Sequence, residues 1–304
     1  MKVLVTGGAG MIGMALRRLL PRHGHEVFAT DLTDFGRDDP HLLLMPLSDH
    51  NGHERLVAEN GIEAIVHGGG ISGPMMIRDD PAQIVDINVA STVALLDIAR
   101  RHGLRRFLLL SSHVVYGDVG PDLIEEDRGL HPATTYAASK VAGEALVESF
   151  GRQWGLSAAS LRLTRVYGPY RRANCFLRQM LIDTAAGATT TIPCDPDYLY
   201  HFVAADDVAG AVLACLEADE LRYSAYNVTS GEVLTMSQVR AIALEALPGA
   251  RIELVAGVDD APEGQTDFSL ARLLADTGWR PALPLKQGMA DYAARFAADP
   301  EIVR

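Results

Sequence analysis

The chain has 304 residues, 48% of them hydrophobic, and a formal net charge of -12. That length buries a full core in one large domain or two unequal ones, and the acidic balance argues against a phosphate backbone or an anionic membrane surface as the main partner. Nucleic acid and membrane are therefore set aside, and small-molecule chemistry is the expectation. Cys175, Cys194 and Cys215 are far apart with no Cys-x-x-Cys or Cys/His pairing, so neither a disulfide framework nor a metal site is legible and they read as core thiols.

The first residues, MKVLVTGG, open directly on a strand, which leaves no room for a leader, and no apolar run approaches the roughly 18 residues of a membrane helix. A reducing, cytoplasmic setting is the default. From there short aliphatic runs alternate with longer periodic ones: KVLVT, MIGMALRRLLPRH, EVFAT, HERLVAENG, AIVHG, a helix-length segment from Ala82 to His102, RFLLLSS, TTYAASKVAGEALVESFGRQWG and SAASLRLT. Strands of four to six residues joined by crossover helices predict an α/β fold, a doubly wound parallel sheet of the Rossmann kind covered on both faces. In the 82–102 segment Ile84, Ile87, Ala90, Val93, Ala94 and Ile98 keep helical spacing, so one face is buried.

After Tyr167-Gly168-Pro169 the rhythm changes. One helix and the Pro/Asp-rich IPCDPDYLY fill 170–200, and short strands such as AYNVT then mix with helices at Met236 to Ala246 and Leu285 to Ala298. Residues 1–168 are read as the dinucleotide-binding domain and 169–304 as mainly a smaller C-terminal substrate lobe, with 204–230, including the helical AADDVAGAVLACLEA, returning to the first domain.

The first strand-helix junction carries TGGAGMIG, with Gly7, Gly10 and Gly13 in Gly-x-x-Gly-x-x-Gly spacing. Glycines there permit a tight turn and close approach of backbone to a pyrophosphate, and the helix N-terminus offers free N–H groups and a positive dipole end. The second strand ends in Asp31, about 20 residues on, where a carboxylate accepts both ribose hydroxyls. Asp31 repels a 2'-phosphate and Leu32-Thr33 add no cation, so NAD is expected rather than NADP.

Tyr136 and Lys140 stand four residues apart on one helix face. A phenol titrates near ~10, too high for a base at neutral pH, and a neighbouring ammonium favours the phenolate. Such a pair abstracts a proton from an alcohol, and Ser112, at the end of a neighbouring strand, can hydrogen-bond the same oxygen. A chance Tyr/Lys spacing is the plainer alternative, and the strand-end serine and the glycine loop on the same sheet edge weigh against it.

Together these residues identify a resemblance that spans nearly the whole chain. TGGAGMIG, Asp31, HGGG at 67–70, NVAST at 88–92, SSHVVYG, Tyr136-x-x-x-Lys140, RVYGP at 165–169, VAADDVA at 203–209 and DTGW followed by Pro281 resemble the extended short-chain dehydrogenase/reductases, the NAD-dependent epimerase/dehydratase family typified by UDP-galactose 4-epimerase. The resemblance implies that Tyr136 is the general base, that Lys140 holds the nicotinamide ribose and lowers the tyrosine pKa, and that Ser112 orients the alcohol. It further implies cofactor contacts from Gly7, Gly10, Met11, Ile12, Gly13, Asp31, Leu47, Gly68, Gly69, Ser111, Tyr136 and Lys140, a sugar-derived substrate, and a homodimer built on the 82–102 and Tyr136 helices.

The departures concern the substrate. Dehydratases resembling this chain carry Asp-Glu after the catalytic hydroxyl, decarboxylases a Glu at the second of these positions and some 3,5-epimerases a Cys there; here stand His113 and Val114. Val114 moves no proton, which leaves redox at an alcohol carbon, with the hydride kept by NAD or returned to the other face. His113 is either a substrate ligand or a packed strand-end histidine. Relatives that epimerise UDP-sugars usually have Asn in place of Arg165, an Arg-Asp pair in place of Tyr200-His201, and an Arg near the stretch that is APEGQTDFS here. With two diphosphate-holding guanidiniums gone and Arg165 new beside Arg171 and Arg172, one carboxylate or phosphate on a smaller molecule such as a sugar acid fits better, with Ser112, His113, Arg165, Arg171 and Tyr200 as the substrate contacts; the alternatives are an Arg165 paired structurally with a local Asp, and an Arg171 or Arg172 that replaces the lost guanidiniums from another direction. Nucleotide-sugar 4-epimerisation is the alternative within the family. A non-catalytic dinucleotide sensor is the alternative of another class, disfavoured because Ser112, Tyr136 and Lys140 are all present.

Overall fold

The computed structural model describes residues 1–73, 79–120, 122–173, 175–257, 264 and 266–303. Chain order begins β1 (Lys2–Thr6), α1 (Met11–Leu19), β2 (Glu26–Asp31), β3 (Leu42–Leu44), α2 (His50–Asn60), β4 (Ala64–His67), α3 (Pro81–Arg101), β5 (Arg106–Ser112), α4 (Thr135–Trp154) and β6 (Ala158–Leu163). It continues with β7 (Arg165–Tyr167), α5 (Phe176–Ala185), β8 (Thr189–Pro193), β9 (Leu199–Tyr200), β10 (Phe202–Ala204), α6 (Ala205–Glu217), β11 (Ala225–Val228), β12 (Leu234–Thr235), α7 (Met236–Ala246), β13 (Arg251–Val255), α8 (Ala271–Thr277) and α9 (Leu285–Ala298).

Seven strands form one sheet in the order β11-β6-β5-β4-β1-β2-β3, every pairing parallel. Strand β5 is buried at every position but its last, as a strand covered on both faces must be. One core beneath α1 and α6 collects Val3, Val5, Leu108, Leu110 and Leu161; the opposite core, beneath α2, α3 and α4, collects Leu4, Ile65, Phe107 and Leu109. The alternation of Leu108 and Leu110 against Phe107 and Leu109 is the two-residue period of a strand, and it fixes which way each following side chain points. A third core joins α5, α7 and α9 to the short strand pairs β7/β10, β9/β12 and β8/β13.

The predicted alternation is present in order, with local differences. Helix α1 ends at Leu19 and continues as a 3₁₀ turn over Leu20–His23, because Pro21 has no N–H to give an α-helical bond. Strand β3 is absent from the sequence expectation: three leucines beside Pro40 and Pro46, two of them exposed, carry no alternating pattern. Helix α6 packs on the large sheet's core and β11 pairs with β6 as its seventh strand. Helix α3, despite Asp86 and Asp97, is a helix long and apolar enough to cross a membrane, and its buried stripe packs in the core beside α4.

Candidate active site

The turn between β1 and α1 is built as a cradle. Gly7 has φ +74°, and a Cβ there would lie 2.8 Å from the Gly68 backbone; one on Gly13 would lie 2.2 Å from the Gly7 carbonyl oxygen. Only glycine lets the 7–13 turn, the first turn of α1 and the 68–70 segment pack this closely. Met11 and Ile12 are half-buried in that first turn, and the Leu47 side chain packs on Gly69. Asp31 closes the edge: one carboxylate oxygen accepts from the Ala9 N–H at 3.0 Å, the other from the Leu32 N–H at 2.7 Å.

Four side chains given no role in the sequence analysis, Thr6, His67, Ser91 and Asn88, hold this cradle in place. Thr6 Oγ1 accepts from the Gly69 N–H at 3.1 Å and bonds His67 Nδ1 at 2.8 Å, while Ser91 Oγ lies 3.2 Å from His67 Nε2. Burial, with the charge of Lys140 beside it, pushes His67 down to about 3, so it is neutral and structural. Asn88 accepts from the Ile71 N–H at 2.8 Å and donates to the Ile71 carbonyl and to Ser139 of α4. Their signal was the HGGG and NVAST motifs, which carried recognition without roles.

At the C-terminal end of β5, Ser112 caps the 3₁₀ turn His113–Tyr116 and its hydroxyl is hydrogen-bonded to the phenol of Tyr136, in the first turn of α4. Thr134 caps α4 by accepting from the Ala137 N–H, which sets the helix start and hence the direction of Tyr136. The phenol is buried, and burial pushes it up to about 12 against the hydrogen bond from Ser112, the positive charge of Arg171 and the backbone N–H of Gly73. Lys140, one turn on, donates to the Leu110 carbonyl at 2.9 Å, and burial pushes it down to about 8 against the pull of Glu144. Arg171, whose Nη1 is anchored on the Val166 carbonyl at 2.7 Å, adds a positive charge that favours the phenolate, and the Lys140 Nζ lies 5.9 Å from the centre of the Tyr136 ring.

The remaining residues divide. Ser111, read as a strand-end or cofactor-side hydroxyl, donates to Glu144 at 2.5 Å. Glu144 pairs with Arg162, which also reaches Tyr116 and the Glu126 carbonyl; Tyr116 donates to Asn227. This buried network ties β5, α4, β6 and β11 together, with Ser111 reaching Glu144 in the middle of α4 while Ser112 meets Tyr136 in the first turn of the same helix. Tyr200, expected at the substrate, is 1% exposed, stacked on Phe202 with its hydroxyl 3.2 Å from Cys194 Sγ. Its ring is a platform for Arg165, whose guanidinium lies 4.9 Å from the ring centroid. His113 sits edge-on to Phe268, as do His201 and, at a tilt, Tyr116. Of the APEGQTDFS stretch, residues 261–263 and 265 lie outside the described residues. No group of His, Cys, Asp and Glu suited to a metal occurs among the described residues.

A parallel doubly wound sheet with a glycine cradle at its switch point and a buried Ser/Tyr/Lys set on the same edge defines a dinucleotide-dependent enzyme. The model of the NAD dependent epimerase/dehydratase family matches residues 3–229, and the chain belongs to that family. It is 28% identical over 259 residues to the UDP-glucose 4-epimerase of Corynebacterium glutamicum, covering 79% of this chain and 78% of that one. It is 27% identical over 313 residues to a dTDP-glucose 4,6-dehydratase of Streptomyces niveus, covering 96% and 91%. The crystal structure of the Thermus thermophilus UDP-glucose 4-epimerase complexed with NAD superposes with a TM-score of 0.87 at 28% identity, over 98% of this chain and 100% of that one. The chain is thus an NAD-dependent enzyme of the extended short-chain dehydrogenase/reductase type. Its residues fit that cofactor: the glycine positions cannot carry a Cβ, and the Asp31 carboxylate stands at the cradle's edge.

Proposed function

We propose that this enzyme removes hydride and proton from a secondary or hemiacetal alcohol of a sugar-derived substrate, with Tyr136 as general base. The observation that carries this reading is the buried Tyr136 phenol, bonded to Ser112 and to the Gly73 N–H in the charge field of Arg171. Ser112 shares the substrate oxygen, the phenolate takes its proton, and Lys140 holds the nicotinamide ribose. Bound in the cradle, NAD supplies the acceptor for the hydride that leaves the alcohol carbon. Arg165, held over Tyr200, and Arg171, held on Val166, present guanidiniums suited to one carboxylate or phosphate, which supports a sugar acid. His113 lies against Phe268 within the same strand-end turn and completes the substrate side.

The test is NADH absorbance during incubation of protein and NAD with aldonic acids, uronic acids, free sugars and UDP-sugars. Accumulation of NADH with an acid supports net dehydrogenation and the role of Arg165. Conversion of a UDP-sugar to its 4-epimer without NADH overturns it in favour of the second reading, nucleotide-sugar epimerisation, which the likeness to the UDP-glucose 4-epimerases supports. The protein is further proposed to act as a cytoplasmic homodimer. The exposed Val85 and Val93 on α3, eight residues apart and so on one helix face, support a helix-to-helix contact between copies.

A further inference from the structure

Three non-glycine residues with left-handed backbone occur among the described residues: Phe35 (φ 58°), Asp38 (φ 50°) and Tyr170 (φ 67°). For bulky side chains that conformation is costly and persists only where surrounding contacts impose it. All three lie in two short segments, 35–38 between β2 and β3 and 170–172 after β7, which meet beside the glycine cradle. Arg37 donates to the Ala9 carbonyl, inside TGGAG, at 2.6 Å. Its guanidinium lies 5.5 Å from the Phe35 ring centroid and 5.2 Å from that of Tyr170, and Nε and Nη1 are buried against them without a hydrogen-bond partner. From the other segment, Arg172 places its guanidinium 3.8 Å from the Phe35 ring centroid. Among the described residues neither arginine has an ion-pair partner; the adjacent Asp39 is taken by Arg17.

Two cations without carboxylates, at the mouth of a turn built to receive a diphosphate, are electrostatically complementary to it, and the aromatic ring between them ties the two segments together. We infer that these residues form a clasp on the rim of the phosphate cradle: the Arg37 charge strengthens binding of the cofactor's diphosphate, and the Arg172–Phe35 contact slows the cofactor's departure. The inference rests on the cofactor assignment, so binding of NADH by the unaltered protein, followed by its fluorescence, is the control that separates failure of that assignment from failure of the clasp.

The experiment loads cofactor-stripped protein with NADH, chases with excess NAD and follows the loss of fluorescence. Arg172 and Phe35 are exposed, so Arg172→Ala and Phe35→Ala keep the fold, and each is expected to speed release about threefold, the size of an exposed cation–π contact. Arg37→Gln is expected to weaken ADP-ribose binding about tenfold and adenosine binding not at all, with the ADP-ribose effect shrinking as salt rises. Unchanged release in both Arg172→Ala and Phe35→Ala, or equal losses for ADP-ribose and adenosine in Arg37→Gln, overturns the clasp. Should Arg37→Gln fail to fold, the Arg172 and Phe35 variants decide the matter alone.

Discussion

Lys140 and Tyr136 share one face of α4, yet the buried ammonium loses its proton near 8 while the buried phenol keeps its own to about 12. Burial thus opposes both charged forms of the pair spaced for base catalysis, holding the phenol protonated and weakening the ammonium. Arg171 favours the phenolate by its charge, and the Lys140 Nζ stands 5.9 Å from the centre of the phenol ring.

Burying Lys140 destabilises the folded chain. Its folded pKa lies below the unfolded one, so the unfolded state holds more protons between about 8 and 10.5, and stability rises with pH across that window. The cost is fully present below about 8. Lys140→Met is expected to stabilise the cofactor-free protein at pH 7 by roughly 2 kcal/mol while turnover collapses, with the difference narrowing towards pH 10.5. Thermal melts of both proteins across that range check it, and a less stable variant at pH 7 contradicts it.

Tyr136→Phe removes the proton acceptor and leaves the ring in its packing. Turnover is expected to fall at least ~100-fold with NAD binding kept. Retained turnover would take the base role from Tyr136.

Arg171→Gln removes a charge that lowers the phenol's pKa. The limb of the pH profile of kcat/KM governed by the base should move to higher pH, with about a threefold to tenfold loss at pH 7 even for an uncharged alcohol. A profile that stays in place, with only KM for an anionic substrate raised, would confine Arg171 to substrate binding.

Glu144→Gln leaves Arg162 buried without its counter-ion and weakens the acceptor of Ser111. A loss of about 3–5 kcal/mol in denaturant unfolding is expected. A loss below about 1 kcal/mol would mean that the remaining partners of Arg162, Tyr116 and the Glu126 carbonyl, suffice.

The sheet, the cradle and the Ser112/Tyr136/Lys140 set were legible because each follows from a local pattern: aliphatic runs bounded by glycine, a fixed glycine spacing, a four-residue helical step. The pairings of β7 with β10 and of β8 with β13 were not, since strands of three to five residues from distant parts of the chain carry no local sign of their partners. For Tyr200 and Ser111 only the position along the chain was legible, for a related reason. Sequence position set both beside the site, whereas the direction of each side chain depends on packing against Phe202 and Glu144. Arg37 escaped notice because the expected cation was sought next to Asp31, and the chain returns to the cradle only six residues later.

The adjoining hydroxyls at the end of β5 show how the strand partitions the molecule. Ser111 faces Glu144 and Ser112 faces the phenol, so one peptide unit separates a framework bolt from a reagent. Inserting one residue within β5 ahead of Ser111 would carry Ser111 into the reagent position and put Leu110 where the bolt stands, whereas deleting one would make Ser112 the bolt and bring His113 to the phenol. The strand's length is therefore as much a determinant of the chemistry as the serine it carries.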